Sequence, residues 1–457
     1  MRNLLKNIIG PWRFLWTAPD IRRKLLITVA LLVLYRFVSH IPVPGVNREA
    51  VEQLFTGGGA AQTLLQTINL ISGGTLSQFS VLAMGVYPYI TAQIIIQLLV
   101  PIIPAWQARM EDDPREGRRW MERRTYLLSI VMGALTAVGQ IRIFSSLYGA
   151  AVITDFNLVN NTLPSVTVIA TMTAGTMFAI WLGELISEYG IRNQGLSLII
   201  FAGIISQMPS SYATVLQSPG AAVPALISLL IITLLTIFVI VFVQQGRRNV
   251  PVMYPGRRVG NRMSMPVKGT LPLMVNMAGM IPLIFAQAIL SFPAILGSFF
   301  LTTENETIRN IASWTQVVFQ AGSGWYWLFY FLMVVAFTFF YSDVLFMQQN
   351  YGENLKRAGA QIPGVSRGAP TQRYLTRVLR RITLPGALFL GFIAVLPFLI
   401  TLVIPPLAAV ASDTGAGASF LINASGLLIV VGVVRDTFFN IDAELKLHGY
   451  DESLLVN

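Results

Sequence analysis

The chain contains no cysteine. That excludes a disulfide framework, thiolate-bound zinc or iron–sulfur sites, and thiol catalysis. Histidine is nearly absent too, with only His40 and His448 present. There is no HExxH pair, no serine nucleophile motif with a partner histidine and no GxxxxGK[ST] phosphate loop. The expectation is a protein that is not an enzyme and holds neither cofactor nor metal. Charge is scarce as well: Asp, Glu, Lys and Arg make up 12% of 457 residues. Ordinary soluble domains carry roughly 25%.

Apolar residues fill the gap, at 54% of the chain, and the mean hydropathy is +0.63. A membrane span needs about 20 mostly apolar residues. Ten such runs are predicted, at Leu25–Ile41, Phe79–Ile103, Thr125–Leu147, Val166–Ser187, Leu196–Leu216, Val223–Val243, Leu271–Leu290, Trp327–Tyr341, Thr383–Ile404 and Phe420–Phe439. The fold class is therefore all-α and polytopic.

The net charge of +11 is sorted between alternate loops. One side holds Arg22, Arg23 and Lys24, the cluster from Arg109 to Arg124, and the loops 244–270 and 346–381. The other side has little beyond Arg48, Arg142 and Arg309. The positive-inside rule then puts both termini in the cytoplasm. Arg36 is placed inside its span, where it pairs structurally or snorkels outward. Residues 1–24 carry Trp12, Phe14 and Trp16 among basic residues and read as an interfacial segment.

No sequence repeat is evident. The segment Gln207–Pro224 separates spans five and six, so the chain divides into 25–216 and 217–440, with a tail at 441–457. Five spans per half, an odd number, make the second half enter from the opposite side. That suits an inverted pseudo-twofold architecture.

Two stretches stand out. The second span, "FSVLAMGVYPYITAQIIIQLLVPIIP", has Gly85 and Pro88 inside it. An interior proline costs a water-exposed helix about 3 kcal/mol. Breakers at membrane depth are tolerated where they line a protein-walled cavity, or they serve as packing kinks. The loop Gln244–Thr270 holds Arg247, Arg248, Arg257, Arg258, Arg262 and Lys268 and no acid. Val250–Tyr254 reads as strand and Pro255–Gly256 as turn. Such a ribbon can meet lipid headgroups, a phosphate backbone or an acidic protein face. In the second basic loop, Gly359–Gly368 reads as an irregular tip, and Arg373, Arg377, Arg380 and Arg381 as part of a helix. The two loops are expected as large basic protrusions on one side, suited to docking a large anionic partner.

The segments "SHIPVPGV", "SGGTLSQFSVLAMGVYPYITAQIIIQLL", "GTMFAIWLGELISEYGI", "LSLIIFAGI", "LPLMVNMAGMIPLIFAQAI" and "ENLKRAGAQIPGV" resemble, in order, the bacterial SecY family. The resemblance implies two inverted five-helix halves around a central hourglass channel. It implies passage of unfolded secretory polypeptides, with release of signal or transmembrane helices through a lateral gate into lipid. It places a plug at about 64–77 and an aliphatic pore ring at Val86, Ile90, Ile200, Ile284 and Ile429. Gln97 and Asn276 fall on polar gate positions, where an interhelical amide contact of about 0.6 kcal/mol is expected to favour closure. Arg247, Arg248, Arg257, Arg258, Arg262 and Arg367 fall on the docking surface. Ser366 stands where the family carries arginine, and Arg367 follows one place later. The implied partners are SecE, SecG, SecA, the ribosome through its RNA, signal sequences and nascent chains, and membrane lipids. The implied location is the bacterial plasma membrane. The rival reading, a secondary transporter with inverted repeats, needs a polar site near the midplane, where these spans are mostly aliphatic.

Overall fold

The structure is a computed structural model. It describes residues 19–47, 79–100, 102–148, 161–192, 194–216, 222–255, 258–259, 262–263, 267–300, 305–319, 324–349, 351–403 and 424–447. The plug region at about 64–77, the interfacial segment up to residue 18 and Arg257 lie outside these residues.

The first half contributes α1 (Pro19–Val38), α2 (Tyr87–Leu99), α3 (Pro104–Asp112), α4 (Pro114–Tyr148), α5 (Thr162–Tyr189) and α6 (Gly195–Leu216). The second begins with α7 (Ala222–Gln244), followed by strands β1 (Arg247–Tyr254), β2 (Arg258–Val259), β3 (Arg262–Met263) and β4 (Val267–Met274). It continues with α8 (Ile281–Phe300), α9 (Glu306–Val318), α10 (Gly324–Gln349), α11 (Tyr351–Arg357), α12 (Ala369–Val403) and α13 (Ala424–Leu447). A helix thus occurs at each of the ten predicted span positions. Among the described residues, α4, α5, α12 and the run through α10 are long and apolar enough to cross a membrane, and α2 with α3 forms a further candidate bent by 99°. Many large side chains on the outer faces are exposed and apolar, such as Phe238 and Phe242 on α7. That is expected where lipid, not water, is the surrounding solvent.

Two predicted span starts are corrected. Residues 79–86 form a series of turns rather than helix, and α2 starts only at Tyr87. Pro88 therefore sits in the first helical turn, where its missing N–H has no intrahelical partner to lose. The assumed cost of an interior proline does not arise. Leu271 opens no helix either. Leu271 and Leu273 alternate with exposed Pro272 and Met274 along β4, and α8 starts at Ile281. The period there is two, which a hydropathy window does not distinguish from an apolar helix. The span predicted from Trp327 starts at Gly324 and runs on to Gln349. Arg36 lies in the last turn of α1.

Outside the helices, β1 and β4 form an antiparallel ribbon in register from Arg247↔Met274 to Tyr254↔Val267, and β2 pairs β3 at its tip. Helix α9, unforeseen from the sequence, is capped by Asn305, whose side chain accepts from the Thr307 N–H.

Among the described residues, three hydrophobic clusters are seen. One joins both halves through α1, α2, α5, α6, α8, α10 and α13. A second belongs to α7, α8, α10, α12 and α13. The third lies at the basic end and is built on the β-ribbon. At that end Lys24 Nζ lies 2.7 Å from Glu444 Oε1, tying the start of α1 to α13.

Candidate functional site

Helix α2 is delivered to the centre by the turns of 79–86. The Val81 N–H donates to the Ile41 carbonyl at 2.9 Å, just after α1 ends. The Ala83, Gly85 and Tyr87 N–H groups donate to the Ser80, Leu82 and Met84 carbonyls. Gly85 has φ +52°, which glycine adopts without a Cβ penalty. Phe79, Leu82, Ala83, Met84 and Val86 are buried around this path.

The path then places Val86 and Ile90 one helical turn apart. They are 1% and 9% exposed. Ile200 on α6 and Ile284 on α8, at 7% and 9%, join them in the central cluster, and Ile429 on α13 packs against it half-buried. The five residues assigned to the ring by family likeness are thus brought together from both halves. The five ring side chains are all aliphatic, while Tyr35, Tyr87, Phe285 and Tyr341 also belong to the cluster. The five attract through dispersion and burial and offer no directional bond.

Sequence reasoning missed Met280. It packs against the central cluster from the residue before α8. Gly279-Met280-Ile281-Pro282 repeats the spacing of Gly85-Val86-Tyr87-Pro88, with Gly279 at φ +64°. Met280 and Ile284 therefore follow Gly279 as Val86 and Ile90 follow Gly85. The signal was legible as a repeated G-x-x-P ahead of an apolar run.

Gln97 and Asn276 do not make the expected amide contact. The Asn276 side chain donates from Nδ2 to the Gly279 carbonyl at 3.0 Å. Gln97 Oε1 and Asn276 Oδ1 are both buried without a hydrogen-bond partner among the described residues. The short bond back to Gly279 wins because it closes a local turn over three residues. It leaves α8 packed against α4 and touching α2 without an amide link.

The two basic loops pack together as one module. Val250 and Val252 of β1 and Leu273 of β4 form one core with Phe346, Leu355, Ile362, Leu375 and Leu379. Met253 and Gln361 exchange backbone bonds of 2.8 and 2.9 Å, adding the second loop to the ribbon edge. Gly359, Gly364 and Gly368 all have positive φ and shape the irregular tip. Arg247, Arg248 and Arg367 are exposed on this module, and Arg258 and Arg262 lie in the short strands β2 and β3. The Ser366 carbonyl accepts from Thr371 Oγ1 at 2.7 Å, fixing the loop to the first turn of α12 beside Arg367.

Among the described residues, no group of three or more His, Cys, Asp or Glu side chains is placed to hold a metal ion.

Comparison with known proteins follows this geometry closely. The SecY family model matches residues 80–438. The chain is 36% identical over 455 residues to protein translocase subunit SecY of Chlamydia muridarum, covering 96% of each. It is 37% identical over 440 residues to the subunit of the same name in Thermotoga maritima, covering 95% of each. A solved protein-conducting channel has the same fold, with TM-score 0.61, 20% identity and 95% of each chain covered. A second solved structure, of a SecY protein whose plug domain stabilises the closed channel, gives 0.60 at 20% identity. The chain belongs to the SecY family.

Proposed function

We propose that the chain is the channel-forming subunit of a protein translocase. It passes unfolded secretory polypeptides across the membrane and releases apolar signal or transmembrane helices sideways between α2 and α8. One observation carries this reading: the aliphatic side chains of Val86, Ile90, Ile200, Ile284 and Ile429 converge from four helices of both halves in one hydrophobic cluster. A narrow apolar ring excludes water and ions, yet grips a passing chain at no particular side chain. A ring that closes on itself between crossings keeps the membrane sealed.

The gate reading rests on weakness. Helices α2 and α8 meet without a described amide bond between Gln97 and Asn276, and each amide oxygen is left unsatisfied. A polar backbone or side chain of an arriving segment gains a partner there, and separation of the two helices breaks no strong bond.

The basic module supports the partner reading. A ribbon of exposed arginines on a rigid core is a docking surface for ribosomal RNA and for the SecA motor. The chain carries no nucleotide-binding loop, so the driving energy comes from such a partner or from a membrane gradient. SecE and SecG complete the assembly, with client signal sequences and lipids as further partners. The orientation follows from the charges: both termini and the basic module face the cytoplasm of a bacterial plasma membrane. The reaction is transport, with no covalent step, no cofactor and no metal.

The absence of native cysteine gives a direct test. A single cysteine replaces Ile284 in chain reconstituted with SecE, and a secretory polypeptide carrying one cysteine is stalled by SecA. A disulfide between the two that depends on SecA and ATP is the expected result. Crosslinks at lipid-facing control positions, with none at Ile284, Val86 or Ile90 in an active preparation, would overturn the ring assignment.

A further inference from the structure

Beside the basic module, and outside the central cluster, a groove of about 720 Å³ opens between α10 and α12. Its walls include Arg373, Arg377, Arg380 and Arg381, and its apolar lining includes Phe339, Met347 and Leu384. The arginines follow one another at helical spacing, so they share a face of α12.

Among the described residues, one of them, Arg380, has a bonded partner. Arg380 grips Asp343 of α10, with Nη2 at 2.9 Å and Nε at 3.2 Å from Oδ2. That pair spans the groove and fixes its width. Among the described residues, no ion pair reaches Arg373, Arg377 or Arg381. The uncharged polar walls are already bonded: Gln372 Oε1 accepts from the Gly352 N–H, and Thr376 donates to the Gln372 carbonyl. What remains on offer is three guanidinium groups.

The stripe continues as apolar surface. Beyond Arg381 the same face carries Leu384, Leu388 and Phe392, which are 50%, 46% and 53% exposed. Across the groove Met347 is 72% exposed. A polyanion arriving from water covers the arginines but leaves these side chains bare. A ligand with a phosphate at one end and hydrocarbon at the other covers both. Guanidinium forks match phosphate oxygens in pairs, and basic pockets between membrane helices suit anionic headgroups.

We propose that this groove is a binding site for an anionic phospholipid, with the headgroup phosphate on Arg373, Arg377 and Arg381 and an acyl chain along Leu384, Leu388 and Phe392. The site does not depend on the channel reading and can be tested apart from it.

The test is native mass spectrometry of the full chain in detergent, with phosphatidylglycerol titrated against phosphatidylcholine. The chain retains one phosphatidylglycerol selectively. The variant Arg373→Gln/Arg377→Gln/Arg381→Gln weakens its retention on the order of 100-fold. The variant Arg118→Gln/Arg119→Gln/Arg123→Gln removes the same charge from exposed positions of α4 and leaves retention unchanged. Equal losses in both variants overturn the proposal, since general charge attraction then suffices. Displacement of the lipid by millimolar inorganic phosphate, at ionic strength matched with sodium chloride, also overturns it in favour of a small-anion site. If the triple α12 variant does not fold, Arg377→Ala alone serves. It weakens retention several-fold, and no change there defeats the assignment.

Discussion

In Gly85-Val86-Tyr87-Pro88 and in Gly279-Met280-Ile281-Pro282, a glycine of positive φ stands two residues before a helix and a proline stands second in it. The likeness extends outward. Four residues before each glycine is a valine, and its N–H donates at 2.9 Å to a carbonyl just beyond the first helix of its half: Val81 to Ile41, Val275 to Gly246. The carbonyl of each valine lies against a glycine of a later helix, Val81 against Gly175 of α5 and Val275 against Gly386 of α12. Two halves that share little more than this short spacing thus build the same approach to the central cluster.

The two approaches differ in how firmly they are held. Before α2, residues 82–86 are all buried, and successive turn bonds brace them. Before α8, Met277, Gly279 and Met280 are half-buried, and a Cβ on Gly279 meets nothing within 4 Å. Among the described residues, the bracing after Val275 is the Asn276 side-chain bond to the Gly279 carbonyl and one turn bond, from the Leu283 N–H to the Met280 carbonyl. One device is therefore present in a stiff and a looser form. Few buried contacts mean a low cost of local rearrangement, so α8 is the side expected to shift when the two halves part.

The largest effects test whether the device is shared. A Cβ at Gly175 or at Gly386 overlaps a backbone carbonyl, which cannot turn aside as a side chain can. Gly175→Ala and Gly386→Ala should each lower stability by about 3 kcal/mol, read by unfolding of the full chain in mixed micelles. Similar losses sharpen the comparison. If Gly386→Ala behaves as wild type, the second half does not rely on the contact.

Next in size are the positive-φ glycines. Gly279→Ala should cost about 1–2 kcal/mol from backbone strain alone, because nothing crowds the added methyl. Gly85→Ala should cost more in the same assay, since its residue is buried among buried neighbours. Equal losses would erase the distinction between stiff and loose approaches.

How much of this was legible beforehand follows from what each signal measures. Hydropathy located a helix at every predicted span, because lipid exposure demands long apolar runs. Family likeness named Val86, Ile90, Ile200 and Ile284 through long motifs, and these four lie in one cluster against which Ile429 packs. Backbone conformation was hidden: Pro88 read as a helix breaker only because Gly85 had no visible φ. Leu271 and Leu273 read as helix because an apolar strand and an apolar helix start look alike over a few residues. The merging of the two basic loops depends on the Met253–Gln361 bridge, a long-range contact with no periodicity to announce it. Gln97 and Asn276 showed the chemistry of an interhelical pair, but the local bond to Gly279 takes precedence.

The smallest effects bear on the prolines, and they test the corrected reading of α2 most closely. At the second position of a helix, proline loses no intrahelical bond, and its ring fixes a φ the helix already needs. Its contribution then lies in the unfolded chain, whose freedom it restricts. Pro88→Ala and Pro282→Ala should each destabilise by only about 0.4–1 kcal/mol. Had Pro88 stood inside a helix beginning at Phe79, alanine there would restore a lost bond, and the variant would be more stable than wild type by about 3 kcal/mol. The two accounts differ in sign, so a modest measurement in mixed micelles separates them. A stabilised Pro88→Ala alongside a destabilised Pro282→Ala would break the parallel between α2 and α8 at its centre. Small losses in both would mean that each half starts its central helix in the same way and differs only in how tightly the preceding turn is packed.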